Sequence, residues 1–180
     1  MRLFDEYYKK RNFQEQITNV LKNILDEDTT IVCIGTDRYI IDSVAPFVGT
    51  MLKEGDIKNP VFGTIQDPIH AVNLEEKLQY IHSKYYGNNI IGIDASIGDD
   101  IGNIIIKDSP IHPGRGVGKV LPNVGNYSIQ IVTGTDVSLS LTQSEIRLND
   151  IINMAKTVAN AILNTTSISQ DEYTILENAI

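Results

Sequence analysis

The sequence predicts an α/β protein, a three-layer α/β/α sandwich built on a mostly parallel central sheet. Three observations carry that expectation. Short apolar runs at residues 31–34 and 89–93 lack polar alternation, so they read as strands covered on both faces. Between them lie segments whose apolar residues recur at helical spacing. Strands that alternate with helices require crossover connections, and these favour parallel pairing.

Each element has a local justification. The opening dozen residues, MRLFDEYYKKRN, are polar and are expected to be frayed or loosely packed. A first helix is expected over 12–25, with Phe13, Ile17, Val20, Leu21, Ile24 and Leu25 on one stripe. The strand at 31–34 stops at Gly35. A helix starts near Asp42 and Ser43 and reaches Glu54, with Pro46 tolerated only in its first turn. A short strand is expected at 60–65. Asn73 and Glu76 have capping-box spacing and open a helix over Leu74–Lys84. The strand at 89–93 closes on Asp94, and a turn at 99–102 leads to a strand over Asn103–Lys107. A fifth strand spans 127–133. Thr142 and Glu145 form a second capping-box pattern, which opens the longest helix, about 143–163, followed by a polar tail. No helix separates Asn103–Lys107 from 127–133, so one of those strands is expected to be antiparallel or at an edge. No repeat or linker divides the 180 residues, and a single domain with its core at about 28–163 is expected.

Composition narrows the partners. The formal net charge is −8, which repels phosphate backbones and argues against direct nucleic-acid binding. No stretch approaches the ~18 apolar residues of a membrane span. A lone cysteine, Cys33, permits no intramolecular disulfide and sits within an apolar run, where it reads as a small core residue. The N-terminus has no apolar signal core. A cytoplasmic setting is expected.

The acids carry the functional expectation. In open α/β sheets, ligands bind beyond the carboxyl ends of strands where the strand order reverses. If the order begins 2-1-3, the 31–34 and 89–93 strands are neighbours at that reversal. Asp94 then closes one of them and Asp42 follows the other by eight residues, so two carboxyls share a crevice. Asp42 near a helix N-terminus is favoured as an anion. Asp94, ending an apolar run, loses solvation and keeps its proton more readily. A pair with separated proton affinities suits general base and general acid work, with either assignment of roles open. Spacing alone also allows Asp42 to be a helix cap. Asp37 is foremost a turn residue and is a reserve acid.

The segment DSPIHPGRGVGKVLPNVGN, residues 108–126, is a long loop rich in glycine and proline. Long ordered loops are commonly functional. Its glycines match neither a Walker A loop nor a dinucleotide fingerprint, because Pro113, Lys119 and Val120 stand where those motifs need other residues. Gly114, Gly116 and Gly118 instead suit close passage of an extended peptide, with Arg115 and Lys119 adding positive charge. His112 with Asp42 and Asp94 has the composition of a divalent-metal site. It is equally a loop histidine packed locally. No G-x-S-x-G elbow is present, so a covalent nucleophile has no support.

Four segments, CIGTDRYIIDSVAPFVGTML, VFGTIQDPIHAVNLEEKL, IGIDASIG and SPIHPGRGVGKVLPNVG, occur in order and together resemble the YyaC-type sporulation proteins. That family is in turn similar to the germination protease of endospore-forming bacteria and to hydrogenase maturation proteases. The resemblance implies a peptidase-like, phosphorylase/hydrolase-like α/β fold in the cytoplasm of a forespore or spore core. It implies catalytic aspartates at Asp42 and Asp94, and hydrolysis of small acid-soluble spore proteins during germination. Asp37, Arg115 and the glycine loop would line the substrate cleft. No cofactor is needed for that chemistry. The hydrogenase maturation relatives imply the alternative, a metal contacted by Asp42, Asp94 and His112. A non-catalytic peptide-binding protein is a third reading, and a homo-oligomer is allowed. The chain is much shorter than the germination protease, and Arg38, Tyr39 and Ile40 stand between the acids where smaller residues would be expected.

Overall fold

The central sheet has six strands in the order β1-β5-β6-β4-β2-β3. The computed structural model describes residues 1–114, 121–136 and 146–177, with side chains through Thr166. Along the chain run β1 (Arg2–Tyr7), α1 (Phe13–Leu21), β2 (Thr30–Cys33), a 3-10 turn (Ile40–Asp42), α2 (Val44–Glu54), β3 (Val61–Phe62), α3 (Leu74–Lys84), β4 (Ile90–Ile97), β5 (Asn103–Lys107), β6 (Tyr127–Gly134) and α4 (Leu148–Glu177). The architecture is the expected α/β class, with a mixed sheet. β3, β2, β4 and β6 are parallel, whereas β5 and β1 pair antiparallel.

One face of the sheet carries α1, α2 and α4. Phe13, Ile17 and Leu21 of α1, Val44, Val48 and Leu52 of α2, and Ile151, Ala155, Val158 and Ile162 of α4 share a cluster with Ile31, Ile91, Ile93, Ile104, Ile129 and Ile131. The other face carries α3, whose Leu74, Leu78 and Ile81 pack on Val32, Ile34 and Ile90. Successive crossovers from β2 therefore lie on opposite faces, and right-handed connections then reverse the strand order between β2 and β4. The expected 2-1-3 order is present as β3-β2-β4.

Several expectations are corrected. The opening residues are not frayed. They form β1, which takes the sheet edge, so the antiparallel β5 is internal. Phe4 supplies the reason: it is buried and meets Phe13 edge to face at 5.4 Å, while Leu3 packs against the same core and only Arg2 and Tyr7 at the strand ends are exposed. β4 does not stop at Asp94 but continues to Ile97, because β6 runs alongside it to Gly134. β3 keeps only two of the expected residues, and α1 ends at Leu21 although Ile24 and Leu25 remain buried. α4 begins at Leu148 and extends past the expected end at about 163 to Glu177, through the polar tail. The Thr142–Glu145 capping pattern lies outside the described residues. Asn73 does occupy the N-cap of α3, but without a side-chain cap bond; its amide accepts from the His70 N–H at 2.8 Å and donates to the Pro68 carbonyl at 3.0 Å. Cys33 is fully buried, and loss of solvation pushes its thiol pKa far up, so it is an inert core residue.

Candidate active site

The site forms where β2 ends and β4 continues. Gly35 follows the β2 strand with φ +148°, and its N–H donates to the Ile69 carbonyl at 2.8 Å. The chain then loops through exposed residues 37–40 and returns in the 3-10 turn. There the Asp42 carbonyl accepts the Thr36 N–H at 3.1 Å. The return passes so close that a Cβ on Gly35 would stand 2.1 Å from the Asp42 carbonyl oxygen. Glycine is thus the residue that lets the acid approach the sheet. Asp42 is not the helix cap: Ser43 holds that position, and no side-chain cap bond is made there. The Asp42 carboxyl is left for other work.

Asp94 sits on β4 opposite Gln130 of β6, on the same face of the sheet as Gly92 and Ser96. Both acids are half-buried. Burial pushes the Asp42 carboxyl up to about 6, an effect that the charge of His70 opposes. Burial pushes Asp94 well above the usual carboxylate range, and the neighbouring Asp42 charge adds to it; the Ala95 N–H, bonded to the Asp94 carboxyl, works the other way. The two carboxyls therefore act on each other electrostatically, and Asp94 holds its proton more tightly than Asp42.

His70, which is not among the residues singled out from the sequence, acts on Asp42 through its charge. Ile34 bridges Ile69 in parallel beyond the ends of β2 and β3, which delivers the next residue, His70, to the Asp42 turn. The His70 ring accepts the Val72 N–H at Nδ1 (3.3 Å), which places the neutral ring's proton on Nε2. The available signal was Asn73, whose amide shapes the turn. Because the His70 charge lowers the Asp42 pKa, His70→Gln is expected to move the Asp42 midpoint upward from about 6. Carboxyl 13C titration by NMR measures this directly, and an unchanged or lower midpoint would contradict the placement.

The remaining candidates are more dispersed. Asp37 is exposed on the loop before the turn. His112 lies in the 108–126 segment, with Nδ1 2.6 Å from Asn123 Oδ1, and the flanking Ile111 and Val124 exchange backbone bonds of 2.9 and 3.0 Å. Gly114 is half-buried with φ +77°. Arg115, Gly116, Gly118 and Lys119 lie outside the described residues. Among the described residues, no three His, Cys, Asp or Glu side chains gather as a metal-holding group, so Asp42, Asp94 and His112 are not assembled into one here. A cleft of about 360 Å³ lined by His82, Tyr85, Asn88, Asn123 and Asn126 opens at the start of β4, at the opposite end from the acids. Among the described residues, no helix is long and apolar enough to cross a membrane.

The fold places this chain in a structural class with a known enzyme. It is similar to the crystal structure of the [NiFe] hydrogenase maturation protease HycI from Thermococcus kodakarensis KOD1, with a TM-score of 0.56 and 18% identity, over 79% of this chain and 98% of that one. The protein thus has a peptidase-like α/β fold. The chain itself belongs to the family described as protein of unknown function (DUF1256), which matches residues 5–161. It is 35% identical to YyaC of Bacillus subtilis (strain 168) over 156 residues, covering 84% of this chain and 76% of that protein.

Proposed function

We propose that the protein is a peptidase in which Asp42 and Asp94 hydrolyse a peptide bond through activated water. The observation that carries this reading is two mutually acting carboxyls of unequal proton affinity at the sheet's switch point. Asp42, with its pKa near 6, is the anion at neutral pH and takes a proton from water. The resulting hydroxide adds to the scissile carbonyl carbon. Asp94 retains its proton and gives it to the amide nitrogen as the C–N bond breaks. The Asp42 proton then returns to solvent, and Asp94 is reprotonated. Activity rises as pH passes about 6, where Asp42 ionises, and falls once Asp94 loses its proton. Resemblance to the germination protease supports small acid-soluble spore proteins as substrates, in the forespore or spore core.

The test is incubation of the protein with purified small acid-soluble spore proteins, with and without EDTA. Wild type should cleave them at a rate insensitive to EDTA, while Asp42→Asn and Asp94→Asn should each slow cleavage by about 10²-fold or more. Equal persistence of substrate with all three proteins would remove the proposal. Loss of cleavage on chelation, restored by a divalent metal, would replace it with a metal-dependent mechanism.

A further inference from the structure

The ladder between β2 and β4 ends at the bond from the Ile34 N–H to the Ile93 carbonyl, 2.8 Å. β2 then leaves the sheet at Gly35, but β4 continues. Among the described residues, Ala95, Ser96 and Ile97 pair only with β6, at Ile131, Val132 and Gly134, and the Gly98 N–H donates to the Gly134 carbonyl at 2.9 Å. Backbone groups alternate sides along a strand, so Gly98 facing β6 turns the N–H and C=O of residues 95 and 97 toward the side β2 has vacated. The Ala95 N–H is used by the Asp94 carboxyl. The Ala95 carbonyl and the Ile97 N–H remain, and among the described residues no strand pairs with them.

We infer that residues 95–97 are the substrate-binding edge: an extended polypeptide segment adds there as a further strand, bonded to the Ala95 carbonyl and the Ile97 N–H. This rests on the peptidase reading and gives it a binding mode. A strand so placed carries its backbone past Asp94, one residue away, and past Asp42 on the turn that packs against β4. ASIG, residues 95–98, contains no charge and no proline to block strand addition, although the register with β6 shifts between Ser96 and Ile97. Ile97 is 40% exposed, and Tyr39 and Ile40, at the start of the 3-10 turn that packs against β4, are 47% and 43% exposed. These apolar side chains fit an uncharged, extended segment whose alternate side chains dock on either rim. Ser96, between the two bonding residues, has a buried hydroxyl with no hydrogen-bond partner among the described residues.

The test uses the Asp42→Asn variant, so that a bound chain stays intact, with β-casein and a small acid-soluble spore protein as probes. Amide hydrogen exchange should show Ile97 protected on binding. Adding Ile97→Pro, which removes the edge N–H, should weaken binding by about tenfold, while Ile97→Ala, which keeps it, should stay within about threefold. Binding with no protection of Ile97, equal binding by the proline variant, or binding of neither probe would each overturn the inference. If Ile97→Pro does not fold, the exchange measurement decides. Protection of Ile97 in a wild-type protein that cleaves nothing would sink hydrolysis and leave the edge standing.

Discussion

Asp94→Asn is expected to remove peptide hydrolysis and, at neutral pH, to make the protein more stable. The two effects have one cause. In the folded state Asp94 binds its proton more tightly than in the unfolded chain, because burial and the Asp42 charge disfavour its anion. Such a group favours the fold fully below the unfolded carboxylate range, and that contribution is lost as pH rises toward the folded value. Asparagine cannot ionise, so the loss disappears, and its side-chain oxygen still accepts the Ala95 N–H. Thermal melts of the two proteins should nearly coincide at pH 3 and separate progressively above pH 4. The variant should lead by at least about 3 °C at pH 7, the worth of 1 kcal/mol in a chain of this length. Asp42 contributes the same sign of slope between about 4 and 6 in both proteins and cancels in the comparison. A variant melting below wild type at pH 7 would mean that Asp94 is held as a favourable anion, and its role as the proton donor would fail with it.

Gly35→Ala tests the other half of the pair. The added methyl would stand 2.1 Å from the Asp42 carbonyl and 3.0 Å from Pro46 Cδ, at φ +148°, so the 3-10 turn has to move. The obstacle is backbone rather than the free end of a side chain. We expect a cost of about 2–4 kcal/mol, strain and overpacking together, and at least a 100-fold drop in hydrolysis because Asp42 leaves its place. Asp94 is then relieved of the Asp42 charge, so its carboxyl should titrate lower by NMR even where the variant is folded but inactive. Denaturant unfolding gives the stability term. A fully active, fully stable alanine variant would show that the close approach of Gly35 and Asp42 is unnecessary.

Local sequence determined the elements whose burial is two-sided or strongly periodic. β2 and the start of β4 are apolar throughout, and the stripes of α2, α3 and α4 repeat at helical spacing, so burial alone marks them. Strand-end logic with the 2-1-3 order also singled out Asp42 and Asp94 as candidates, because the crossover rule is a consequence of chain chirality. Tertiary structure decided the rest. β1 has no continuous apolar run and exists because β5 offers it a partner. β4 passes Asp94 because β6 accompanies it, and the 3-10 turn reaches the sheet because Gly35 has no side chain. His70 joins Asp42 through a bridge between Ile34 and Ile69, thirty-five positions apart. Periodicity reports which face of a segment is buried, whereas strand extension, edge pairing and the meeting of distant side chains depend on partners that only the folded chain supplies.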